Sequence, residues 1–182
     1  MTERLGAVRF DREERIDVVL EAVIRQLKAE GLRIAGFIQR ATDGDETSRS
    51  SVQLESIRDG RRFPVMQPLG AKSTGCRLDP RAMADLCGLA SLELQDGVDL
   101  LILNRFGRGE ADGEGLRSVI EEAFQREIPL LAPVRDVYWK DWLTFSGGWG
   151  DHLPVDEQAI VDWCRRATTL ATGDSGAKVA RR

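Results

Sequence analysis

One short segment of the chain gathers the residue types that bind oxyanions. From Gly70 to Arg77 the sequence combines two glycines, two hydroxyl side chains and two cations. Glycines let backbone amides approach a ligand, hydroxyls donate hydrogen bonds, and cations balance the charge of a tetrahedral anion. A predicted helix start directly after the segment adds a partial positive charge. The composition predicts an anion site, with a solvated connecting loop as the alternative interpretation, and its predicted contacts are Lys72, Ser73, Thr74, Gly75, Cys76 and Arg77.

Further polar side chains are predicted to meet at the same place because they follow the strands of a parallel sheet. Gln39 and Arg40 follow one predicted strand, whereas Asn104 and Arg105 follow another that is almost entirely apolar. Ligands of open parallel sheets bind beyond the carboxyl ends of the strands. With Gln67, these four residues complete the predicted ligand-binding set, and we assign no catalytic residue.

The turn after the first predicted strand lacks the motif that holds a nucleoside triphosphate. A P-loop needs G-x-x-x-x-G-K-[ST] here, because its backbone amides, lysine and hydroxyl bind the phosphates and magnesium. The stretch from Phe10 to Ile16 contains three acids and no glycine. Asn104 also stands where an aspartate that supports magnesium is expected. Both features argue against hydrolysis of ATP or GTP by the usual P-loop route.

An acidic cluster follows the apolar strand, at Glu110, Asp112 and Glu114. These carboxylates are weak candidates for binding a divalent cation or for acid-base catalysis. Their spacing does not match the regular pattern of an EF-hand loop, so a solvated acidic loop is the favoured interpretation. The sequence predicts no metal site and identifies no cofactor other than the anion itself.

Cysteine and histidine chemistry has little support. The three cysteines form no C-x-x-C pair, which fits reduced thiols better than disulfides or a zinc site. Two nearby cations favour a reactive thiolate at Cys76, whereas Cys87 and Cys164 lie in apolar helical patterns and are predicted core residues. His152 is the single histidine, so any base for Cys76 would have to be this residue.

Aromatic residues cluster late in the chain. They are Tyr138, Trp139, Trp142, Phe145 and Trp149. Packing in the core or in a lid is the ordinary interpretation of such a cluster, and a platform on which a ring stacks is the alternative.

The elements that position these residues alternate between strands and helices, as in α/β folds. Apolar runs predict strands, and apolar residues spaced three and four apart predict helices. The predicted strands are 5–10, 32–38, 52–57, 61–66, 98–103 and 128–134, and the predicted helices are 16–27, 81–94, 116–126 and 155–170. Asp11 is predicted to cap the first helix and Gly31 to end it, whereas Asp79 and Pro80 begin the second helix.

Asp59 and Gly60 separate two alternating runs, which predicts an antiparallel hairpin at one edge of the sheet. Residues 138–145 form a short aromatic stretch, 146–150 a glycine hinge and 172–182 a predicted disordered tail. The sequence therefore predicts a single three-layer α/β/α domain over residues 1–171, with a mostly parallel sheet and a β-hairpin insertion.

Charge and hydropathy argue against two classes of partner. The 182 residues have a net charge of -4 and a pI near 5.2, so the chain offers no excess of basic residues for nucleic acid. No apolar run approaches the ~20 residues of a membrane-spanning helix, and Met1 is not followed by a signal-peptide core. We expect a cytoplasmic protein whose partner is a small anionic ligand, and formation of a homo-oligomer stays open.

Several strings of the sequence form a pattern that is fairly specific in combination. They are Gly-Phe-Ile-Gln at 36–39, Met-Gln-Pro-Leu-Gly at 66–70, Gly-Cys-Arg-Leu-Asp at 75–79 and Asn-Arg-Phe-Gly at 104–107. With Glu110 and Gly115, this pattern resembles the bacterial family catalogued as domain of unknown function 2478, from about Leu5 to Trp163. Members of that family are often labelled nucleoside-triphosphatase-like, and their genes often lie beside genes for molybdate transport or molybdenum enzymes.

The resemblance implies a P-loop nucleoside-triphosphatase scaffold without the Walker A motif, adapted to another use. Related hydrolases carry Asp-Glu-x-Gly where this chain has Asn104 to Gly107. The family more often has lysine at the position of Arg105, a difference that preserves the charge. The implied ligand is molybdate, tungstate or a phosphate-like anion.

Three functions follow as hypotheses. The first is a non-hydrolytic binding or accessory protein of molybdenum metabolism that holds an oxyanion near Gly70 to Arg77. The second is a nucleoside-triphosphate phosphohydrolase with an atypical metal-dependent site at Glu110, Asp112 or Glu114. The third is a regulatory protein-interaction module with an apolar surface around its tryptophans.

Overall fold

A computed structural model describes residues 4–11, 14–41, 52–66, 78–103 and 105–179, with the backbone alone for residues 41, 52 and 172–179. Within these residues one sheet contains the strands β1 Leu5–Phe10, β2 Ile34–Ala41, β3 Val52–Ser56, β4 Arg62–Pro64, β5 Leu100–Ile102, β6 Leu130–Arg135 and β7 Asp151–Leu153. The helices are α1 Ile16–Ala29, α2 Pro80–Gln95, α3 Arg108–Ala111, α4 Arg117–Gln125, α5 Trp139–Ser146 and α6 Glu157–Val179.

The strand order β4-β3-β2-β5-β6-β1-β7 places the parallel strands side by side. From β2 to β7 in this order each strand is parallel to its neighbours, whereas β3 is antiparallel to both β2 and β4. The five parallel strands therefore end at the same edge of the sheet, which we call the carboxyl edge. Since β3 runs antiparallel to both β2 and β4, β4 runs in the same direction as β2 and also ends at this edge. The predicted mostly parallel sheet with an antiparallel hairpin at one side is confirmed.

Helices cover both faces of the sheet. Along β1, Leu5 and Ala7 belong to the core beneath α2, α4 and α5, whereas Val8 and Phe10 belong to the core beneath α1 and α6. This alternation makes β1 apolar on both faces, as a central strand of a three-layer fold requires. The predicted α/β/α layering is thus present.

Two local signals act as predicted. The carboxylate of Asp79 accepts hydrogen bonds from the backbone N–H groups of Arg81 (2.9 Å) and Ala82 (3.5 Å), and the helix begins at the following proline. Asp59 and Gly60 lie in the turn between β3 and β4, where Gly60 has a φ of +75°. That left-handed conformation suits glycine because it has no Cβ to clash with the backbone.

The start of α1 differs from the prediction for Asp11. The helix begins at Ile16, and its N-cap residue Arg15 makes no side-chain capping bond. Asp11 lies too early in the chain to reach the first amides of the helix, and its carboxylate accepts from the backbone N–H of Glu14 instead (3.1 Å). Gly31 follows the end of the helix with a φ of +90°, as predicted.

Several element boundaries also differ from the prediction. β2 begins at Ile34 and continues to Ala41, and β5 is limited to Leu100–Ile102. Helix α3 is a single turn within the predicted acidic loop, the aromatic stretch forms α5, and β7 follows the predicted glycine hinge as an additional strand parallel to β1. Helix α6 continues beyond its predicted end to Val179, whereas residues 180–182 lie outside the described residues. In the described ranges, no helix is both long and apolar enough to cross a lipid bilayer.

Candidate functional site

Most of the predicted anion contacts lie outside the described residues. They are Gln67, Lys72, Ser73, Thr74, Gly75, Cys76, Arg77 and Asn104. The structure does place the residues that flank the segment 67–77. Met66 and Leu78 form an antiparallel bridge, and the backbone N–H of Asp79 donates to the carbonyl of Val65 (2.9 Å). The two ends of the segment are therefore side by side.

These ends lie at the carboxyl edge of the sheet. β4 ends at Pro64, which lies opposite Gln53 of β3, and Gln53 lies opposite Arg40 near the end of β2. Three strand spacings of ~4.8 Å separate β4 from β5, a gap of about 14 Å. A chain covers up to ~3.5 Å per residue, so the segment 67–77 is long enough to reach Arg105 beyond β5.

The start of α2 does not offer its first amides to a ligand. The sequence suggests this helix terminus as part of the anion site, but Asp79 accepts hydrogen bonds from the amides of Arg81 and Ala82. A carboxylate in this position also repels an anion. In the predicted site, the groups that bind the anion must therefore come from the segment itself and from other parts of the carboxyl edge.

Gln39 and Arg40 lie on opposite faces of β2, because successive side chains of a strand alternate. The guanidinium of Arg40 donates to Glu55 of β3 (3.0 Å) and to Glu21 of α1 (2.9 Å). These hydrogen bonds raise the pKa of Arg40 and lower the pKa of each carboxyl group. Arg62 adds a second ion pair to Glu55 (2.8 Å). The charge of Arg40 is thus balanced on the α1 face, whereas Gln39 lies on the α2 face.

Arg105 reaches across the carboxyl edge from the end of β5 to α1. Its Nη2 donates to Oδ2 of Asp17 in the first turn of α1 (2.6 Å), and its Cζ lies 5.3 Å from the centroid of the Phe10 ring. The next residue, Phe106, donates its backbone N–H to the carbonyl of Pro133 (2.8 Å), which fixes the loop against β6. Because β6 lies between β5 and β1, Arg105 crosses the end of β6.

Two acids close the turn between β1 and α1. The backbone N–H of Asp11 donates to the carboxylate of Glu14 (2.7 Å), and the N–H of Glu14 donates to the carboxylate of Asp11 (3.1 Å). Residues 12 and 13 lie outside the described residues. The described part of this turn presents carboxylates where a P-loop presents amides and a lysine.

A cleft of about 440 Å³ opens beside this turn, lined in part by Arg9, Asp11, Glu14, Asp136, Trp139 and His152. Nε of Arg9 donates to Asp136 (2.5 Å), and its Cζ lies 5.3 Å from the centroid of the Trp139 ring. The ring of His152 lies edge to face with Trp139, with centroids 4.6 Å apart. The ends of β1 and β6, with Asp11 and Asp136, are predictable as part of this edge from the strand pattern, whereas the side formed by His152 is not, because β7 was not predicted. The one signal of the cleft in the sequence of β1 is Arg9, a charged residue within an otherwise apolar strand.

Glu110 organises the loop after β5. Its carboxylate accepts hydrogen bonds from the backbone N–H groups of Gly107 (3.0 Å) and Leu116 (2.9 Å), one on each oxygen, and the residue is 8% exposed. Asp112 and Glu114 are exposed, and Asp112 forms an ion pair with a neighbouring arginine. In the described part of the chain, no group of three His, Cys, Asp or Glu side chains is arranged to hold a metal ion.

The described thiols are structural. Cys164 is fully buried in α6, and burial raises the pKa of its thiol to about 12, so it stays protonated. Cys87 is half-buried, packs against the core, and its Sγ donates to the carbonyl of Gly115 (3.3 Å). Their prediction as core residues is confirmed. The hypothesis of a reactive Cys76 assisted by His152 stays a prediction, because Cys76 lies outside the described residues.

The aromatic cluster packs mainly into the core. Trp142 is fully buried, and its ring centroid lies 5.2 Å from that of Phe106 and 5.9 Å from that of Phe145. Trp149 is 57% exposed and lies outside this packing. The ordinary interpretation, core packing, therefore holds for Trp142 and Phe145.

One known family matches nearly the whole described chain. The model of a family described as a protein of unknown function, DUF2478, matches residues 5–163. This chain belongs to the DUF2478 family. The match runs from β1 into α6, so the resemblance inferred from the sequence strings is confirmed.

One curated relative of this DUF2478 chain is named for molybdenum import. It is the molybdenum import ATP-binding protein ModC 2 of Bradyrhizobium diazoefficiens, which is 30% identical over 162 residues. The match covers 89% of this chain but 18% of the relative. The DUF2478 chain therefore spans about a fifth of the length of that relative.

A solved structure shares the fold. The solution structure of a human cancer-related nucleoside triphosphatase superposes with a TM-score of 0.62, covering 98% of this chain and 99% of the other. The two sequences are 12% identical, so the likeness shows the fold and no more. The DUF2478 chain therefore shares its fold with that nucleoside triphosphatase.

Proposed function

We propose that this DUF2478 protein is a non-hydrolytic binding or accessory protein that holds a tetrahedral oxyanion at its carboxyl edge. Molybdate, tungstate and phosphate-like anions are the candidates, and the protein acts in the molybdenum metabolism of the cytoplasm. Arg105, Gln39 and the segment 67–77 supply the contacts.

The meeting of both ends of the segment 67–77 at the carboxyl edge is the observation that supports this proposal most. The Met66–Leu78 bridge lies at the edge where Arg105 lies, and the sequence between its two residues contains two hydroxyls, two cations and two glycines. Hydroxyls and amides donate single hydrogen bonds, whereas a guanidinium donates two parallel bonds to an oxyanion. The combination suits a tetrahedral anion better than it suits a cation or an apolar ligand.

The turn between β1 and α1 supports a role without hydrolysis. In a P-loop protein the amides of this turn and its lysine surround the phosphates. Here the amides of Asp11 and Glu14 are used by each other's carboxylates, which would also repel a triphosphate. We therefore infer that the nucleotide-binding position of the fold is not used for catalysis in this chain.

The link to molybdenum comes from the relative named for molybdenum import. Its name describes the whole of a much longer protein, of which this chain matches about a fifth. For a chain that matches this part of the relative, the residues at the carboxyl edge support a role in binding an anion. Molybdate and tungstate, which have the same shape and charge, are expected to bind alike.

The other two hypotheses gain less from the structure. A phosphohydrolase needs free carboxylates for a metal, yet both oxygens of Glu110 already accept backbone hydrogen bonds. An interaction module based on the tryptophans would need several of them at the surface, yet Trp142 is fully buried, Trp139 is half-buried and Trp149 is the one that is mostly exposed.

Calorimetry tests the proposal directly. The protein is titrated with molybdate, tungstate, sulfate and phosphate, and Arg105→Gln is compared with Arg126→Gln, which removes a similarly paired arginine between α4 and the amino end of β6. Hydrogen bonds to charged groups contribute about 1.5–3 kcal/mol, so Arg105→Gln should weaken binding about tenfold or more while Arg126→Gln has little effect. The absence of heat with all four anions would remove the proposal.

A second assay separates binding from catalysis. Phosphate release from ATP and GTP is measured with magnesium and with manganese, and we expect none above the rate without protein. Release that disappears in Glu110→Gln would favour the phosphohydrolase instead.

A further inference from the structure

Asp17 holds Arg105 through a single carboxylate oxygen. Nη2 of Arg105 donates to Oδ2 of Asp17 (2.6 Å). By comparison, Arg33 donates to both oxygens of Asp99, and Arg40 donates to two separate carboxylates. A guanidinium has five N–H donors, so the single contact with Asp17 leaves most of the donors of Arg105 to other partners.

Nε of Arg105 is one donor with no partner in the described part of the chain, although the atom is buried. The guanidinium also lies over the ring of Phe10, which restricts its plane. An unpaired buried donor is costly unless a ligand or water satisfies it. The side chain of Arg105 is 25% exposed, so an anion can approach the guanidinium from solvent at the carboxyl edge.

We infer that Asp17 competes with the bound anion for Arg105 and thereby limits the affinity of the site. This inference rests on the proposed function. Without a ligand, Asp17 balances the charge of Arg105; with a ligand, it either gives up the guanidinium or lies beside a second negative charge. Both alternatives disfavour the bound state, and the second does so more for a dianion than for a monoanion.

The size of the effect follows from how like charges interact in proteins. A neighbouring like charge within ~4–6 Å typically disfavours a charged form by a factor of ten or more. Replacing Asp17 by asparagine keeps the shape of the side chain and removes its charge. Asp17→Asn should therefore bind molybdate about tenfold more tightly, with a smaller gain for perrhenate, a tetrahedral anion of one charge.

The experiment is calorimetry on the wild type, Asp17→Asn, Arg105→Gln and the double variant, at the same low ionic strength. In the Arg105→Gln background, Asp17→Asn should increase affinity by less than it does with Arg105 present, because the competition for the guanidinium is then gone and only repulsion by the carboxylate remains. Asp136→Asn is the matched control, since Asp136 forms an ion pair with Arg9 at the same edge. Asp17→Ser serves as a second variant, and thermal unfolding verifies that each variant is folded.

The outcomes separate the inference from the proposed function. Failure of the wild type to bind any of the four anions overturns both. Binding by the wild type that is lost in Arg105→Gln but unchanged or weakened in Asp17→Asn and Asp17→Ser overturns the competition alone. A tenfold gain that persists without Arg105, or that Asp136→Asn reproduces, also overturns it, because the effect would then be a general change of charge.

Discussion

The indole ring of Trp163 in α6 lies directly on the backbone of Gly6 in β1. A Cβ added at Gly6 would lie 2.8 Å from Cζ2 of Trp163, closer than packed carbon atoms permit. Nε1 of Trp163 donates to the carboxylate of Asp151 (2.8 Å), and Asp151 lies opposite Gly6 in the pairing of β1 with β7. The side chain of Trp163 therefore joins α6 to the two strands that border the cleft at the carboxyl edge.

We predict that Gly6→Ala lowers the free energy of unfolding by about 1–3 kcal/mol, the usual cost of overpacking a core. The ring cannot move away without losing its hydrogen bond to Asp151. Urea unfolding measures the change. Gly88→Ala is the matched control: Gly88 is an exposed helical residue at which an added Cβ would meet open space, so alanine should raise stability by about 0.5–1 kcal/mol. Equal stability of Gly6→Ala and the wild type would contradict the packing described here.

Because of the buried carboxyl group of Glu93, we predict that the free energy of unfolding falls as the pH rises. Its carboxyl group is 2% exposed, and burial raises its pKa above the ordinary value of 4.5, against a hydrogen bond from the backbone of Gly36. In the described residues its Oε2 has no hydrogen-bond partner. The folded protein therefore keeps a proton at pH values where the unfolded chain has lost it, and stability decreases from pH 4.5 upward until the raised pKa is passed.

Glu93→Gln removes this titration. As the pH rises above 4.5, the difference in unfolding free energy between variant and wild type should shift in favour of the variant, by at most about 1.4 kcal/mol per pH unit. Chemical unfolding at several pH values measures it. A difference that stays constant over this range would show that burial does not perturb Glu93.

Glu110 is predicted to stabilise its loop and to play no part in catalysis. Glu110→Gln replaces one acceptor oxygen by an NH₂ group that faces a backbone N–H, so it should cost about 1–3 kcal/mol of stability. Asp112→Asn, in the same loop but exposed, should stay within about 0.5 kcal/mol of the wild type. Thermal unfolding compares the two variants, and equal stabilities would contradict the role assigned to Glu110.

The parts of the fold that could be predicted depend on chemistry between near neighbours. Asp79 caps α2 with its own side chain, and the Asp59–Gly60 turn contains the conformation that it requires. The buried strand around Leu101 is recognisable because both of its faces are apolar. Each of these signals lies within a few residues of the structure that it specifies.

The parts that could not be predicted depend on partners far along the chain. β7 is a three-residue strand with polar residues that forms by pairing with β1. Arg105 was predicted at the carboxyl edge, but its partner Asp17 is 88 residues away and no local pattern connects them. Likewise, the spacing of Glu110, Asp112 and Glu114 predicts three acids in a solvated loop, whereas Glu110 is buried and accepts hydrogen bonds from two backbone amides.

A crystal structure grown with molybdate, in which the anion is located by the anomalous scattering of molybdenum, shows whether an oxyanion binds beside Arg105. We expect an anion at the carboxyl edge, with an oxygen about 2.9 Å from a guanidinium nitrogen of Arg105 and with contacts from the segment 67–77. Molybdate bound instead at the turn of Asp11 and Glu14, or no anomalous peak near Arg105 at saturating molybdate, would contradict it.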